Sequence, residues 1–102
     1  MPGYRPDIAP HVAEVIRHLP PEVKRGIKAA IRALSNDPAV GEPLQRELEG
    51  LRKYRVKRFR IVYAIDRPRK IIRIMAVGHR RAIYEEMVDF VRRRKSGRRE
   101  RR

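Results

Sequence analysis

The spacing of apolar residues changes from a helical to a strand period along the chain, and this change constrains the fold most. Apolar residues recur every three or four positions from Ile8 to Leu19 and again from Val23 to Leu34, as in two amphipathic helices. Pro20 and Pro21 separate the two stripes, and a helix tolerates proline only in its first turn. The pattern therefore predicts a helical hairpin whose second helix ends near residues 35 to 37.

From Lys53 the period changes to two, as is typical of strands: Tyr54 and Val56 alternate with Arg55 and Lys57, and then Phe59, Ile61, Tyr63 and Ile65 alternate with Arg60, Val62 and Ala64. We predict two antiparallel strands here, joined by a tight turn near Lys57 and Arg58, although neither is a preferred turn residue. A turn over residues 66 to 69 leads to a third strand, residues 70 to 77. This strand is apolar on both faces except at Arg73, so we expect it to be central.

A final helix is predicted from the apolar stripe between Ile83 and Val91. An edge strand is predicted over residues 2 to 6, although Pro2, Gly3 and Pro6 disfavour one. The fold class is therefore α+β, with the helical hairpin and a C-terminal helix packed on a small antiparallel sheet. The element order is (β)ααβββα. We expect one domain, residues 1–91, followed by a basic tail, residues 92–102. This tail has no apolar residue, so we expect it to be disordered or a frayed helical extension.

Positive charge is concentrated in two segments of this 102-residue chain, whose net charge is +15. The first fifty residues are neutral overall, residues 51–81 carry +11, residues 82–91 carry −3, and the last eleven carry +7. Such a density of positive charge favours a polyanionic partner, with nucleic acid the leading candidate. The alternative is a generic solvated basic surface, and this alternative is stronger for the tail than for the middle segment.

Several classes of protein are excluded by what the sequence lacks. There is no cysteine, and no apolar run approaches the length of a membrane span. The three histidines, His11, His18 and His79, lack the spacing of a metal site. We therefore expect a cytoplasmic protein with no disulfide, no metal, no other cofactor and no membrane partner.

Basic and phenolic side chains gather at the strand ends, where an antiparallel sheet can bring them to one face. They are Arg55, Lys57, Arg60, His79, Arg80, Arg81 and Tyr84. Attack by a ribose 2′-hydroxyl on its adjacent phosphate needs a proton acceptor, a proton donor and cations around the transition state. By its reference pKa of about 6.5, His79 is the best proton-transfer group. The structural alternative has Tyr84 in the core, Arg60 in a salt bridge and His79 at a helix start.

Two local motifs resemble the RelE/ParE toxin superfamily of toxin–antitoxin systems. They are KYRVKRFRIVYAID, residues 53–66, and VGHRRAIY, residues 77–84. The second motif resembles the RelE branch. The resemblance implies an endoribonuclease that cuts messenger RNA in the ribosomal A site, without a metal, and that a neighbouring antitoxin holds inactive.

The resemblance also implies roles for individual residues. Arg55 would abstract a proton or bind phosphate, Arg60 would stabilise the transition state, Arg80 would contact phosphate and protonate the leaving group, and Tyr84 would stack on a base. An arginine is a poor base, so we expect His79 or a strongly perturbed environment to take part. The remaining expected RNA contacts are Lys53, Lys57, Arg58, Arg73 and Arg81.

The expected partners are an acidic or amphipathic antitoxin segment, messenger RNA and the ribosome with its 16S rRNA. Two other functions stay open at this point. One is a ParE-like inhibitor of DNA gyrase with the same fold and no catalysis. The other is a basic module that holds structured RNA or the ribosome without cutting it.

Overall fold

A mixed sheet carries helices on both of its faces. In a computed structural model, residues 3–100 are described, apart from the side chains of residues 80–82 and 94–100. The helices and strands in that part of the chain are, in order, β1 (Arg5–Ile8), α1 (Pro10–Arg17), α2 (Pro21–Asn36), β2 (Glu42–Pro43), β3 (Leu51–Val56), β4 (Phe59–Asp66), β5 (Ile71–His79) and α3 (Arg80–Glu100).

The predicted helical hairpin is confirmed, with a proline in the first turn of each helix. The apolar stripes of α1 and α2 pack on one face of the sheet. They bury Val12, Ile27 and Leu34 against strand residues such as Ile61 and Ile74. Because each of these side chains is at most 1% exposed, this face holds the main core.

The sheet has the strand order β1-β5-β4-β3-β2. The three predicted strands are present and antiparallel, and β5 lies between neighbours as expected. The sheet is mixed rather than antiparallel throughout, because β1 pairs parallel to β5 from Arg5 opposite Ile71 to Ile8 opposite Ile74. Edge strands tolerate proline, which accommodates Pro6 within β1. The two-residue edge strand β2 was not predicted.

A β-bulge in β5 changes which residues face each side of the sheet. Val62 pairs with Ala76 and Tyr63 with Ile74, so Met75 is an extra residue between them. Met75 and Ala76 both pack in a second cluster on the α3 side, around Leu48, Val62, Ile83 and Met87. Residues after the bulge therefore face the side opposite to the one that strict alternation predicts.

The predicted turn at Lys57 and Arg58 is a two-residue connection between β3 and β4, closed by Val56 opposite Phe59. Lys57 has φ 55°, in the left-handed region. A residue other than glycine, asparagine or aspartate is uncommon there, which explains why the sequence gives a weak turn signal.

The hydroxyl of Tyr63 holds the loop before β2. This side chain is fully buried, accepts a hydrogen bond from the Gly41 N–H at 3.0 Å and donates one to the Pro38 carbonyl at 2.6 Å. The Arg52 guanidinium donates to the Gly41 carbonyl at 2.6 Å. A Cβ atom on Gly41 would collide with the Tyr63 hydroxyl and lie 2.6 Å from the Lys53 carbonyl oxygen. Only glycine fits this close approach.

The last helix, α3, continues beyond the predicted end at Val91 to Glu100. Arg92, the first residue of the predicted tail, pairs with Glu47 at 2.9 Å. Its hydrogen bond lowers the pKa of the Glu47 carboxyl. The division into a domain and a disordered tail stays a prediction. No helix in the described part of the chain is long and apolar enough to cross a membrane.

We expect Tyr63→Phe to lower the free energy of unfolding by about 1–3 kcal/mol, because the buried Gly41 N–H loses its acceptor. Burial also raises the pKa of Tyr63, so the folded state favours the neutral phenol. Its contribution to stability is present below the unfolded pKa of about 10 and is lost as pH rises through the folded value.

Urea unfolding at pH 7 and at several values above pH 10 measures both effects, and Tyr54→Phe on the adjacent strand is the control. The wild type should lose stability more steeply above pH 10 than Tyr63→Phe. Equal slopes in these two proteins would contradict the assignment.

Candidate active site

Three cationic side chains share the α3 side of the sheet. The register places Arg55 directly opposite Arg60, and Lys53 two residues before Arg55 on the same face. The intervening Tyr54 packs on the other face, in the main core. Directly opposite residues have Cβ atoms about 4.5–5.5 Å apart, so the two guanidinium groups start from neighbouring positions. This part of the expected convergence is present in the structure.

Arg55 and Arg60 have no carboxylate partner in the part of the chain that the structure describes. Arg60 Nη1 donates to its neighbouring carbonyl, Phe59 O, at 3.3 Å. Like charges directly opposite each other in a sheet destabilise it. The pair is therefore suited to an anion that comes from outside the chain.

These cations line a cleft of about 390 Å³ beside β2. Its described lining residues are Val40, Gly41, Glu42, Lys53, Tyr54, Arg55 and Arg60. Among them Glu42 alone carries a carboxylate. Glu42 lies opposite Lys53 in the β2–β3 pairing, and its Oε1 lies 3.5 Å from Lys53 Nζ. The cleft thus contains an exposed carboxylate that pairs with Lys53, and Arg55 and Arg60 line the same cleft.

Glu42 is the residue that the sequence analysis missed. It lies in a strand of two residues, between Gly41 and a proline, so no apolar alternation marks the strand. Glu42 is positioned by the hydrogen bonds that Tyr63 and Arg52 make to the neighbouring Gly41. These bonds join residues that are 22 and 11 positions apart along the chain. The only local signal was a carboxylate between a glycine and a proline just before the basic segment.

Tyr84 joins the cleft group from α3. Lys53 Nζ lies 5.7 Å from the centre of its ring, within the range of a cation–π contact. The Tyr84 hydroxyl is buried, and in the described part of the structure it has no hydrogen-bond partner. The ring packs against the second apolar cluster, as the structural alternative expected. A stacking role on a base stays a prediction.

The structure does not bring His79 to the cleft. His79 pairs with Phe59, and their rings lie 4.6 Å apart at 56° on the side of the helical hairpin. The bulge at Met75 is the physical reason, because without it His79 would share the face of Arg73 and the cleft. The structure therefore places His79 apart from Arg55 and Arg60, and its catalytic role stays a prediction.

Arg73 also lies apart from the cleft. It makes ion pairs with Asp7 at 2.9 Å and with Asp66 at 3.2 Å, which fasten β1 and the end of β4 to β5. Two carboxylates neutralise its charge, so the structure does not support the expected RNA contact. Lys57 and Arg58 are exposed at the tip of the β3–β4 hairpin, next to the cleft end of these strands.

Arg80 and Arg81 form the start of α3, but their side chains lie outside the described residues. The backbone at Arg80 follows Gly78, the strand partner of Arg60, by two residues. No group of three or more His, Cys, Asp or Glu residues in the described part could hold a metal ion.

Comparisons with known proteins identify relatives of the chain. A family model described as the ParE toxin of type II toxin–antitoxin system, parDE, matches residues 5–84. Toxin RelG from Mycobacterium tuberculosis is 37% identical over 71 residues, which cover 68% of this chain and 82% of that toxin.

Solved structures share the fold. The toxin–antitoxin complex RelBE2 from Mycobacterium tuberculosis contains a chain that is 30% identical, with a TM-score of 0.71 and coverage of 76% of this chain and 99% of that one. A mutant of the Escherichia coli toxin RelE in the free state gives a TM-score of 0.72 at 20% identity, with coverage of 85% and 96%. The match over residues 5–84 and the identity to Toxin RelG together show that this chain belongs to the RelE/ParE superfamily, the toxins of type II toxin–antitoxin systems.

Proposed function

We propose that this toxin is a ribosome-dependent endoribonuclease that cleaves messenger RNA in the cleft beside β2. The observation that carries the proposal is the cross-strand pair Arg55 and Arg60, which the described part of the protein leaves without a carboxylate partner. The identity to Toxin RelG and to the toxin of the RelBE2 complex supports the RelE branch.

The proposed reaction is an intramolecular transesterification at a phosphodiester of the RNA. The ribose 2′ oxygen forms a bond to the adjacent phosphorus, and the bond from phosphorus to the 5′ oxygen of the next nucleotide breaks. The 2′-hydroxyl proton passes to a base, and the 5′ oxygen takes up a proton as it leaves. Arg55 and Arg60 remain protonated and donate hydrogen bonds to the phosphate oxygens, where negative charge develops.

We assign the base to Glu42 rather than to His79. A general base must lie within hydrogen-bond reach of the proton that it takes, and His79 lies on the other face of the sheet. The guanidinium of arginine stays protonated in proteins and does not accept a proton. Glu42 lines the cleft, and the ammonium of Lys53 at 3.5 Å orients its carboxylate. The resemblance assigns the proton for the leaving oxygen to Arg80.

The proposed partners are messenger RNA, the ribosome with its 16S rRNA, and a cognate antitoxin. The RelBE2 structure is a complex of a toxin with its antitoxin. By analogy, we propose that an acidic antitoxin segment covers the cleft of this chain, where it would neutralise the Arg55–Arg60 pair and exclude RNA.

A second candidate function is inhibition of DNA gyrase, which the match to the ParE model favours. A gyrase inhibitor would not need a carboxylate among the cations of the cleft. The position of Glu42 beside Lys53 therefore argues for the nuclease.

We expect Arg60→Ala to lower the rate of message cleavage about 10²–10³-fold, because one donor to the developing charge is lost. Primer extension on messages from a cell-free translation reaction measures cleavage. The matched control is Arg69→Ala, which removes an exposed arginine in the β4–β5 turn. Intact message with wild-type protein, together with inhibited supercoiling by gyrase, would contradict the nuclease and support the second candidate.

We expect Glu42→Gln to lower the cleavage rate by about 10² or more, because the amide cannot accept the 2′-hydroxyl proton. Binding of message by the ribosome-bound toxin should not weaken, because a negative charge leaves the cleft. Single-turnover cleavage and co-sedimentation separate the two effects, and Glu49→Gln serves as the control. Unchanged cleavage in Glu42→Gln would exclude Glu42 as the base.

We expect Arg55→Thr to raise the free energy of unfolding by about 0.2–1 kcal/mol, because it removes a like-charge pair across the strands. The same variant should lose cleavage activity. Urea unfolding at low and high salt tests this expectation, because salt should stabilise the wild type more than the variant. A less stable variant at low salt would argue against repulsion between Arg55 and Arg60.

A further inference from the structure

A second cationic surface lies on the exposed face of α2. Arg25, Lys28 and Arg32 are exposed at helical offsets of 0, 3 and 7, and the exposed Ala29 lies between Lys28 and Arg32. At 1.5 Å per residue, these cations span about 10 Å along the helix axis. We refer to Arg25, Lys28 and Arg32 as the α2 stripe.

Basic residues in the first half of the chain are concentrated on α2. The first fifty residues contain as many acidic as basic side chains, yet four of the seven basic ones lie within residues 24–32. Among the described residues, the ion pairs do not include any member of the stripe. Like charges three or four residues apart weaken a helix. A bound anion would relieve this repulsion.

The α2 stripe lies near the tip of the β3–β4 hairpin and away from the cleft. Gly26, which follows Arg25, approaches Val56 so closely that a Cβ atom would lie 3.1 Å from its Cγ1. Val56 immediately precedes the exposed Lys57 and Arg58. However, α2 packs on the main-core face of the sheet, whereas the cleft cations lie on the other face. The two cationic surfaces can therefore be occupied at the same time.

The chemistry of the stripe fits a phosphate backbone better than a protein. Tight protein interfaces depend on buried aromatic or aliphatic anchors, whereas the exposed large apolar residues in the described part, Val15, Val40 and Phe90, lie outside α2. Sites for single-stranded nucleic acid stack bases on aromatic rings, and α2 contains none. Recognition of duplex RNA relies on shape and on phosphate and 2′-hydroxyl contacts.

We propose that the α2 stripe binds the phosphate backbone of double-stranded RNA, and so holds the toxin on structured RNA while the cleft takes a single-stranded message. The choice of RNA over DNA rests on the proposed function. Binding of RNA at the stripe explains why basic residues are concentrated on α2, a helix that contributes no residue to the described lining of the cleft.

The test measures binding of the full chain to a 12-base-pair RNA hairpin at several salt concentrations. All proteins carry Arg60→Ala, so that the hairpin stays intact. The variant Arg25→Gln, Lys28→Gln, Arg32→Gln is compared with a control that loses the same charge in the β4–β5 turn, Arg67→Gln, Arg69→Gln, Lys70→Gln. We expect the stripe variant to bind at least about tenfold more weakly and to lose about three units of salt slope. Thermal unfolding verifies that both variants fold.

Equal weakening in both variants would overturn the proposal, because net charge alone would explain it, and so would unchanged binding in the stripe variant. Equal or tighter binding of a DNA duplex would overturn the choice of RNA, whereas weaker DNA binding supports it. If the stripe variant loses binding to polyglutamate but still binds the RNA hairpin, the stripe is a site for an acidic protein and the proposal is overturned. The binding experiments do not measure cleavage. Absence of message cleavage in the translation reaction would therefore refute the proposed function without changing the outcome for the stripe.

Discussion

The register of the β3–β4 hairpin is the constraint on which the rest of the molecule depends. With two residues in the turn, Val56 lies opposite Phe59, and every earlier pair follows from that closure. One face then holds Tyr54 and Ile61 in the main core, and the other holds the cleft cations. A slip of one residue would place the guanidinium groups in the core. The free energy gained by burying the apolar face of the hairpin therefore offsets the repulsion between the cations on the opposite face.

The core also positions the edge of the cleft. The hydroxyl of fully buried Tyr63 binds the main chain at Gly41, one residue before Glu42. The carboxylate is thus held on a two-residue strand by a side chain from the centre of the sheet rather than by the sequence around it. Because the anchor is a buried hydrogen bond next to a glycine that cannot be replaced, the loop has little freedom to move away from Lys53.

Much of the fold could be predicted from the sequence, because apolar spacing reports on local periodicity. The helical hairpin, the three central strands and the turn at Lys57 followed from it, and so did the alternation that puts Arg55 and Arg60 on one face. The face on which His79 lies could not be predicted, because a single extra residue at Met75 reverses the faces after it. No period-two pattern reveals a bulge, since the bulge depends on the partner strand.

The α+β domain and its dense basic segment follow from the amino-acid sequence alone, and the resemblance to the superfamily rests on two sequence motifs. Which charges act together, in contrast, depends on contacts that form only in the folded chain. The tertiary structure neutralised Arg73 with Asp7 and Asp66, placed Glu42 beside Lys53, and left the exposed face of α2 cationic. The physical reason is that periodicity arises from neighbours along the chain. Ion pairs and site geometry arise instead from residues that are distant in sequence, and folding alone brings these residues into contact.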